Sequence, residues 1–402
     1  MDDTLTVSLQ DGNIEISKKG FIALLDVGPV KEYVDYETAL SNGSINFAVL
    51  KELAFKADVP YPLFFAPFEQ IRLQIRDYNT QIYSRIPSKK DFSLHSRGRL
   101  RIEDIKLIVK DISRKQIFLS RYLLSEAAAN PFIGLIAKAV KEKQSVITLA
   151  ETLRTHLGVS LETLRGGSKE KVVSYIVSCA EQNNIFVSFS SHNYMPQRIT
   201  GLDMSGICIK DTRFPFIFIN TKDGEENPRI IEPAGRQTFT LVAMLVSIGM
   251  NKFIFNSKTK DSKAPYLNEV YSIVGEFLIP ANDIVGETAS TIEDLKVLSN
   301  RYKVTPSMCL SRLLELKQID IILASELRKR LKEDITKRKG TPRPAGEVTG
   351  YAKYNGTRFS REILTAEKRR TITSEQMRNV LFRKGKKISH KLLRDYRTRF
   401  NV

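Results

Sequence analysis

One stretch limits the folds open to this chain more than any other. Residues 239–250, Phe-Thr-Leu-Val-Ala-Met-Leu-Val-Ser-Ile-Gly-Met, hold no charged side chain over twelve positions. A membrane-spanning helix needs about 20 apolar residues, so this stretch is too short to cross a bilayer. Phe239, Val242, Ala243, Val246 and Met250 recur at three-four spacing, the period of a helix. A helix that is apolar on most sides has to be buried among other elements, and the chain must build a core thick enough to surround it. With 402 residues, 42% hydrophobic and 27% charged, it has globular composition, which excludes wholesale disorder and collagen-like repeats. The length predicts two or three domains.

The patterns on either side predict an α+β chain in four parts. Residues 1–125 read as mainly helical after a short β-rich lead-in, in which Leu5, Val7, Leu9, Ile14 and Ile16 flank an Asp11-Gly12 turn. Within this part Phe47, Leu50, Leu53, Ala54 and Ala57 keep helical spacing, and residues 63–67 read as an apolar loop. Arg97, Arg99 and Arg101 precede a helix over 102–124. Residues 126–280 alternate between helices (131–142, 145–157, 170–184, 235–250, 268–277) and short strands (185–189, 206–209, 216–219). Gly166-Gly167-Ser168-Lys169 lacks the spacing of a phosphate loop and reads as a helix start. Residues 281–335 have helix-turn-helix outline, with Thr305 as N-cap and Pro306 in the first helical position. Residues 336–402 follow a Lys-, Gly- and Pro-rich linker over 337–350, with helices at 360–368, from 373 or 374, and at 389–400.

The net charge of +18 is not spread along the chain. From residue 335 to the end, eight Lys and eleven Arg face four Glu and one Asp, a net +14. Residues 281–334 are neutral, which leaves +4 for the first 280. A localised excess of this size predicts a polyanionic partner, nucleic acid first, with DNA favoured. Arg378, Arg383, Lys384, Lys386, Lys387, Lys391, Arg394, Arg397 and Arg399 fall within 22 residues, with Tyr396 and Phe400 interleaved. Lys391, Arg394 and either Arg397 or Thr398 share one helical face. In the neutral helix-turn-helix unit the exposed candidates are Lys303, Ser307, Ser311 and Arg312. A solvated surface or a docking face for an acidic protein are the competing uses of such charge.

Several segments, in order, carry a resemblance. Gly206-Ile207-Cys208-Ile209, Pro215-Phe216-Ile217-Phe218-Ile219-Asn220, Arg236-Gln237-Thr238-Phe239-Thr240-Leu241-Val242 and the helix from Asn268 to its stop at Pro280 resemble the ImmA/IrrE family of zinc metallopeptidase-like proteins. The likeness covers residues 130–330 and, more loosely, 354–381. It implies a metallopeptidase-like mixed α/β centre. In that family the Phe-Thr-Leu segment leads into H-E-x-x-H, where two histidines one turn apart bind zinc and the glutamate activates water. Here the five positions read Ala243-Met244-Leu245-Val246-Ser247. Ala243 has no donor atom, Met244 cannot act as a base, and Ser247 is a poor zinc ligand. Glu269 stands where the family has its third ligand. The four histidines, His95, His156, His192 and His390, include no pair at three or four residues. A scaffold without its metal is expected, so no cofactor is predicted; a displaced site around His192 and Glu269 is the competing reading.

The expectation is therefore a catalytically inactive regulator, or a defence or toxin–antitoxin effector, of a bacterium, phage or mobile element. It would bind nucleic acid through the C-terminal unit; the resemblance alone implies the biological setting. Two alternatives stand beside it. One is a metallopeptidase with an unconventional site that cleaves a repressor-like partner. The other is an interaction or toxin subunit bound by an acidic partner such as an antitoxin. Met1-Asp2-Asp3-Thr4 is acidic and gives no sign of an export signal. Cys179, Cys208 and Cys309 form no C-x-x-C pair and read as reduced thiols. A cytoplasmic protein without membrane contact is expected.

Overall fold

The computed structural model describes residues 4–27, 30–31, 33–85, 104–123, 126–199, 202, 204–222, 232–253, 255–256, 265–337, 345–382 and 388–402. The chain is mixed α+β and divides into two compact units. The first comprises residues 1–86, 99–114 and 196–202; the second comprises 87–98, 115–195 and 203–402. Arg97, Arg99, Arg101 and His95 lie outside the described residues.

In the first unit, β1 (Thr4–Leu9) pairs antiparallel with β2 (Gly12–Ser17) and parallel with β3 (Ser44–Asn46). Helices α1 (Lys18–Leu24), α2 (Val34–Asn42), α3 (Phe47–Lys56) and α4 (Phe68–Arg85) complete it. The predicted stripe on α3 is inward: Leu50, Leu53, Ala54 and Ala57 are buried. The apolar loop is instead a 3-10 helix, Tyr61–Phe65, because Pro62 in its first turn presets helical φ and Phe64 is buried. Helix α5 (Lys106–Phe118) is shorter than the predicted 102–124 and passes into a π-turn, Leu119–Leu123.

The second unit holds a four-stranded sheet in the order β4 (Phe186–Phe189), β6 (Phe216–Ile219), β5 (Gly206–Ile209), β7 (Phe255–Asn256). The β4–β6 pair is parallel and the others antiparallel. Around the sheet lie α6 (Ala137–Lys141), α7 (Val146–Leu157), α8 (Leu161–Arg165), α9 (Lys169–Gln182), α10 (Ala234–Gly249), α11 (Pro265–Leu278) and α12 (Ala281–Ile284). Ser168 caps α9 by accepting from the Lys171 amide, so Gly166-Gly167-Ser168-Lys169 is the helix start the sequence implied. Helix α6 is much shorter than the predicted 131–142. Gly134 turns with φ +78°, and the Gly134 and Ile136 amides donate to the carbonyls of Ile248 and Gly249 at the end of α10. That end of α10 takes its partners from the segment that would otherwise have been helical.

Helix α10 is the surrounded helix the apolar run requires. All of residues 240–249 are buried, with the sheet on one side and α9 and α11 on others. Gly206 on β5 lets α10 approach closely: an added Cβ there would lie 3.0 Å from the Thr240 methyl. Beyond it come α13 (Ile292–Arg301) and α14 (Pro306–Glu315), with Thr305 accepting from the Met308 amide as the sequence implied. Helix α15 (Ile321–Lys337) was not anticipated. Four further helices follow: α16 (Glu347–Asn355), α17 (Thr357–Lys368), α18 (Ser374–Leu381) and α19 (His390–Phe400). The predicted linker thus ends inside α16.

These last helices pack on the sheet face opposite α10, through side chains of β4 and β6. Ser188 Oγ on β4 donates to the Tyr354 carbonyl on α16, and Phe359 packs edge-on against Phe186 and Phe216. Among the described residues no helix is long and apolar enough to cross a membrane, and the three cysteines are free and buried.

Candidate nucleic-acid interface

The three α10 positions that the resemblance aligns with the zinc motif are core. Ala243, Met244 and Ser247 are fully buried in α10. Ser247 Oγ donates back to the Ala243 carbonyl at 2.6 Å. Met244 Sδ lies 3.3 Å from Cys208 Sγ on β5. Glu269 on α11 is half-exposed and faces Lys252 Nζ at 3.8 Å. His192 sits in a turn and is half-buried. Among the described residues no three His, Cys, Asp or Glu side chains come together as metal ligands. The side chains present do not fit a zinc ion.

The helix-turn-helix unit is a structural brace on α11. Arg312 is not exposed as expected: it is 4% accessible and pairs with Glu276, equally buried, and with Glu315 at 2.8 Å. Its Nε donates to the Ile279 carbonyl at 3.0 Å. Arg154 on α7 donates to the carbonyls of Glu276 and Phe277, and Arg165 on α8 to that of Leu278. Three arginines thus satisfy the open carbonyls at the end of α11, where the helix dipole is negative. Lys303 occupies the turn with φ +58° and is half-buried, while Ser307 and Ser311 are exposed, with Ser311 Oγ bonded to the Ser307 carbonyl.

Helix α19 divides cleanly into two faces. Ser389 caps it by accepting from the Leu392 amide, and Leu392, Leu393, Tyr396 and Phe400 point inward. Lys391, Arg394, Thr398 and Arg399 are exposed. Arg394 pairs with its neighbour Asp395, Nε to Oδ1 at 3.6 Å. Arg397 is half-buried and bound to Glu367 of α17 at 2.8 Å. Arg378 is exposed on α18. Arg383, Lys384, Lys386 and Lys387 lie outside the described residues.

Two findings revise the sequence picture of this surface. Tyr396 and Phe400 are core residues, not groups interleaved with the cations. The Tyr396 hydroxyl sits 2.7 Å from Ser360 Oγ and 3.2 Å from Asn355 Nδ2, and burial pushes its pKa up to about 12. Their place on the 392–393–396–400 stripe gave this away. Second, Lys368, Arg369 and Arg370 form an exposed cationic turn at the end of α17, with no ion pair among the described residues. Three successive basic residues after an amphipathic helix were the available signal. Lys368, Arg370, Thr371, Thr373 and Arg397 line a groove of about 700 Å³ between this turn and the last turn of α19.

Compared with protein-family models, with curated proteins and with solved structures, the chain matches none of them.

Proposed function

We propose that this chain is a binding protein that holds nucleic acid through its C-terminal helices, on a metallopeptidase-like scaffold that has no metal chemistry. The observation that carries this reading is the division of α19. Its apolar residues are inward while Lys391, Arg394 and Arg399 face solvent beside the cationic turn, in the segment where the net charge concentrates. Cations displayed this way replace the counterions of a phosphate backbone, whatever the base sequence. The setting is a cytoplasmic regulator, or a defence or toxin–antitoxin effector, of a bacterium, phage or mobile element; the resemblance supports that part. A repressor or antitoxin is the protein partner such a setting supplies.

Fluorescence anisotropy of the full chain with labelled duplex DNA, single-stranded DNA and RNA tests it. Four phosphate contacts predict affinity falling about 100-fold between roughly 50 and 200 mM salt. The triple variant Lys391→Glu, Arg394→Glu, Arg399→Glu should abolish most of it. Failure of all three probes to bind at low salt refutes the reading and turns attention to an acidic protein.

A further inference from the structure

Resting on the reading above, we infer that the ligand is B-form duplex DNA, with the exposed face of α19 in the major groove and the turn of Lys368, Arg369 and Arg370 on the phosphates of the groove wall. The first observation concerns aromatic rings. Residues 345–402 contain six Phe and Tyr side chains, Tyr351, Tyr354, Phe359, Phe382, Tyr396 and Phe400, and every one is buried. Proteins that hold unpaired bases stack them on exposed aromatic rings; this surface offers none.

The second observation is the shape of α19. Lys391, Arg394 and Thr398 follow one exposed ridge, about 10 Å long at the rise of an α-helix. A helix with its side chains is about 10–12 Å across, the width of the DNA major groove at about 12 Å. The major groove of an A-form RNA duplex is too narrow to admit it. Arginine is suited to the O6 and N7 acceptors of guanine, and Arg394 is the exposed arginine on that ridge.

The third observation ties the turn to the helix. Glu367 accepts from Arg397 Nη2 on α19 at 2.8 Å and from Ser374 Oγ on α18 at 2.6 Å. One carboxylate thus holds the end of α17, the start of α18 and the last turn of α19 together, and the groove between them is edged by Lys368 and Arg370. Across that groove these cations face Arg397 in the last turn of α19, and in the inferred complex the phosphates of one DNA strand lie on them.

The test compares duplex DNA, single-stranded DNA and duplex RNA of one sequence against the full chain at constant salt, with circular dichroism confirming that each variant is folded. Duplex DNA is expected to bind at least about tenfold tighter than either other probe. Lys368→Glu with Arg370→Glu is expected to weaken binding to all DNA sequences alike and to reduce the salt slope by about two, one for each phosphate no longer held. Arg394→Ala is expected to relax the sequence preference recovered from a random duplex pool. Equal or tighter binding of single strands or of duplex RNA overturns this inference and leaves the nucleic-acid reading standing. An unchanged salt slope in the turn variant, or an unchanged preference in Arg394→Ala, overturns the assigned role of that element. Absence of binding to every probe overturns the reading on which it rests.

Discussion

Arg312 and Glu276 form an ion pair in which the two side chains are 4% and 5% exposed. Neither charge has water to fall back on. Arg312→Ala would leave a carboxylate buried without its partner, and such losses cost about 3–5 kcal/mol. Glu276→Gln strands the guanidinium less severely, since Glu315 still faces it. A double-mutant cycle followed by urea denaturation should give a coupling energy above about 1 kcal/mol. Additive single effects would show that each side chain contributes only through its other bonds, Arg312 to Glu315 and the Ile279 carbonyl and Glu276 to the Ala281 amide.

Gly356 joins α16 to α17 with φ +81° and ψ 160°, a conformation that side chains avoid. A Cβ there would stand 2.5 Å from the Val187 carbonyl oxygen and 3.0 Å from Glu181 Oε1. The β4 backbone cannot give way without breaking its ladder with β6. Gly356→Ala is therefore expected to destabilise the chain by about 2 kcal/mol or more. Gly346→Ala, at φ −62° with open space around it, should change stability by less than about 0.5 kcal/mol. Equal melting temperatures for the two variants would refute this account of the junction.

How much of this was legible in the sequence follows from how local each cause is. The cap at Thr305 is read within four residues and forms; the helix starts read at 145, at 373 or 374 and at 389 are likewise local, and Ser145, Thr373 and Ser389 cap them. Strand β7, at two residues, exists only through its pairing with β5, so nothing local marks it. The burial of Arg312 left a trace that charge alone obscured: it shares a helical stripe with Met308, Cys309 and Leu313. Its partner Glu276 lies 36 residues away, and no spacing rule reaches that far. That Ala243 and Ser247 carry no imidazole was plain in the sequence, whereas the contact of Met244 with Cys208 needed the fold.

That contact supports a prediction about Met244, the position that the resemblance aligns with a catalytic glutamate. Met244 is fully buried against β5, with Cys208 Sγ 3.3 Å from its sulfur. Met244→Glu would place a carboxyl group in an apolar core with no charge partner, where it must either neutralise or expel itself. A loss of several kcal/mol is expected, with no gain of zinc, because Ala243 and Ser247 still supply no imidazole. Calorimetry and metal analysis of the purified variant check the two halves. A stable variant carrying stoichiometric zinc would contradict both.

The junction of α9 with α17 should make stability depend on pH. Glu181 is buried there; its Oε2 accepts from the Arg358 amide at 3.1 Å, and the Arg358 guanidinium donates to the Glu181 carbonyl. Burial outweighs the help of these bonds and of Arg358 and Arg361, and pushes the Glu181 pKa up from 4.5 to about 7. The folded chain therefore keeps a proton on Glu181 at pH values where the unfolded chain has lost it. Stability from this group is full below about pH 4.5, declines as pH rises, and is gone above about pH 7. Glu181→Gln keeps an acceptor for the Arg358 amide but cannot ionise. Relative to its value at pH 4.5, the variant should gain on the native chain by a margin on the order of 3 kcal/mol at pH 8. Urea denaturation of both chains across this range measures the margin; parallel curves would show that the carboxyl group titrates as it does in the unfolded chain.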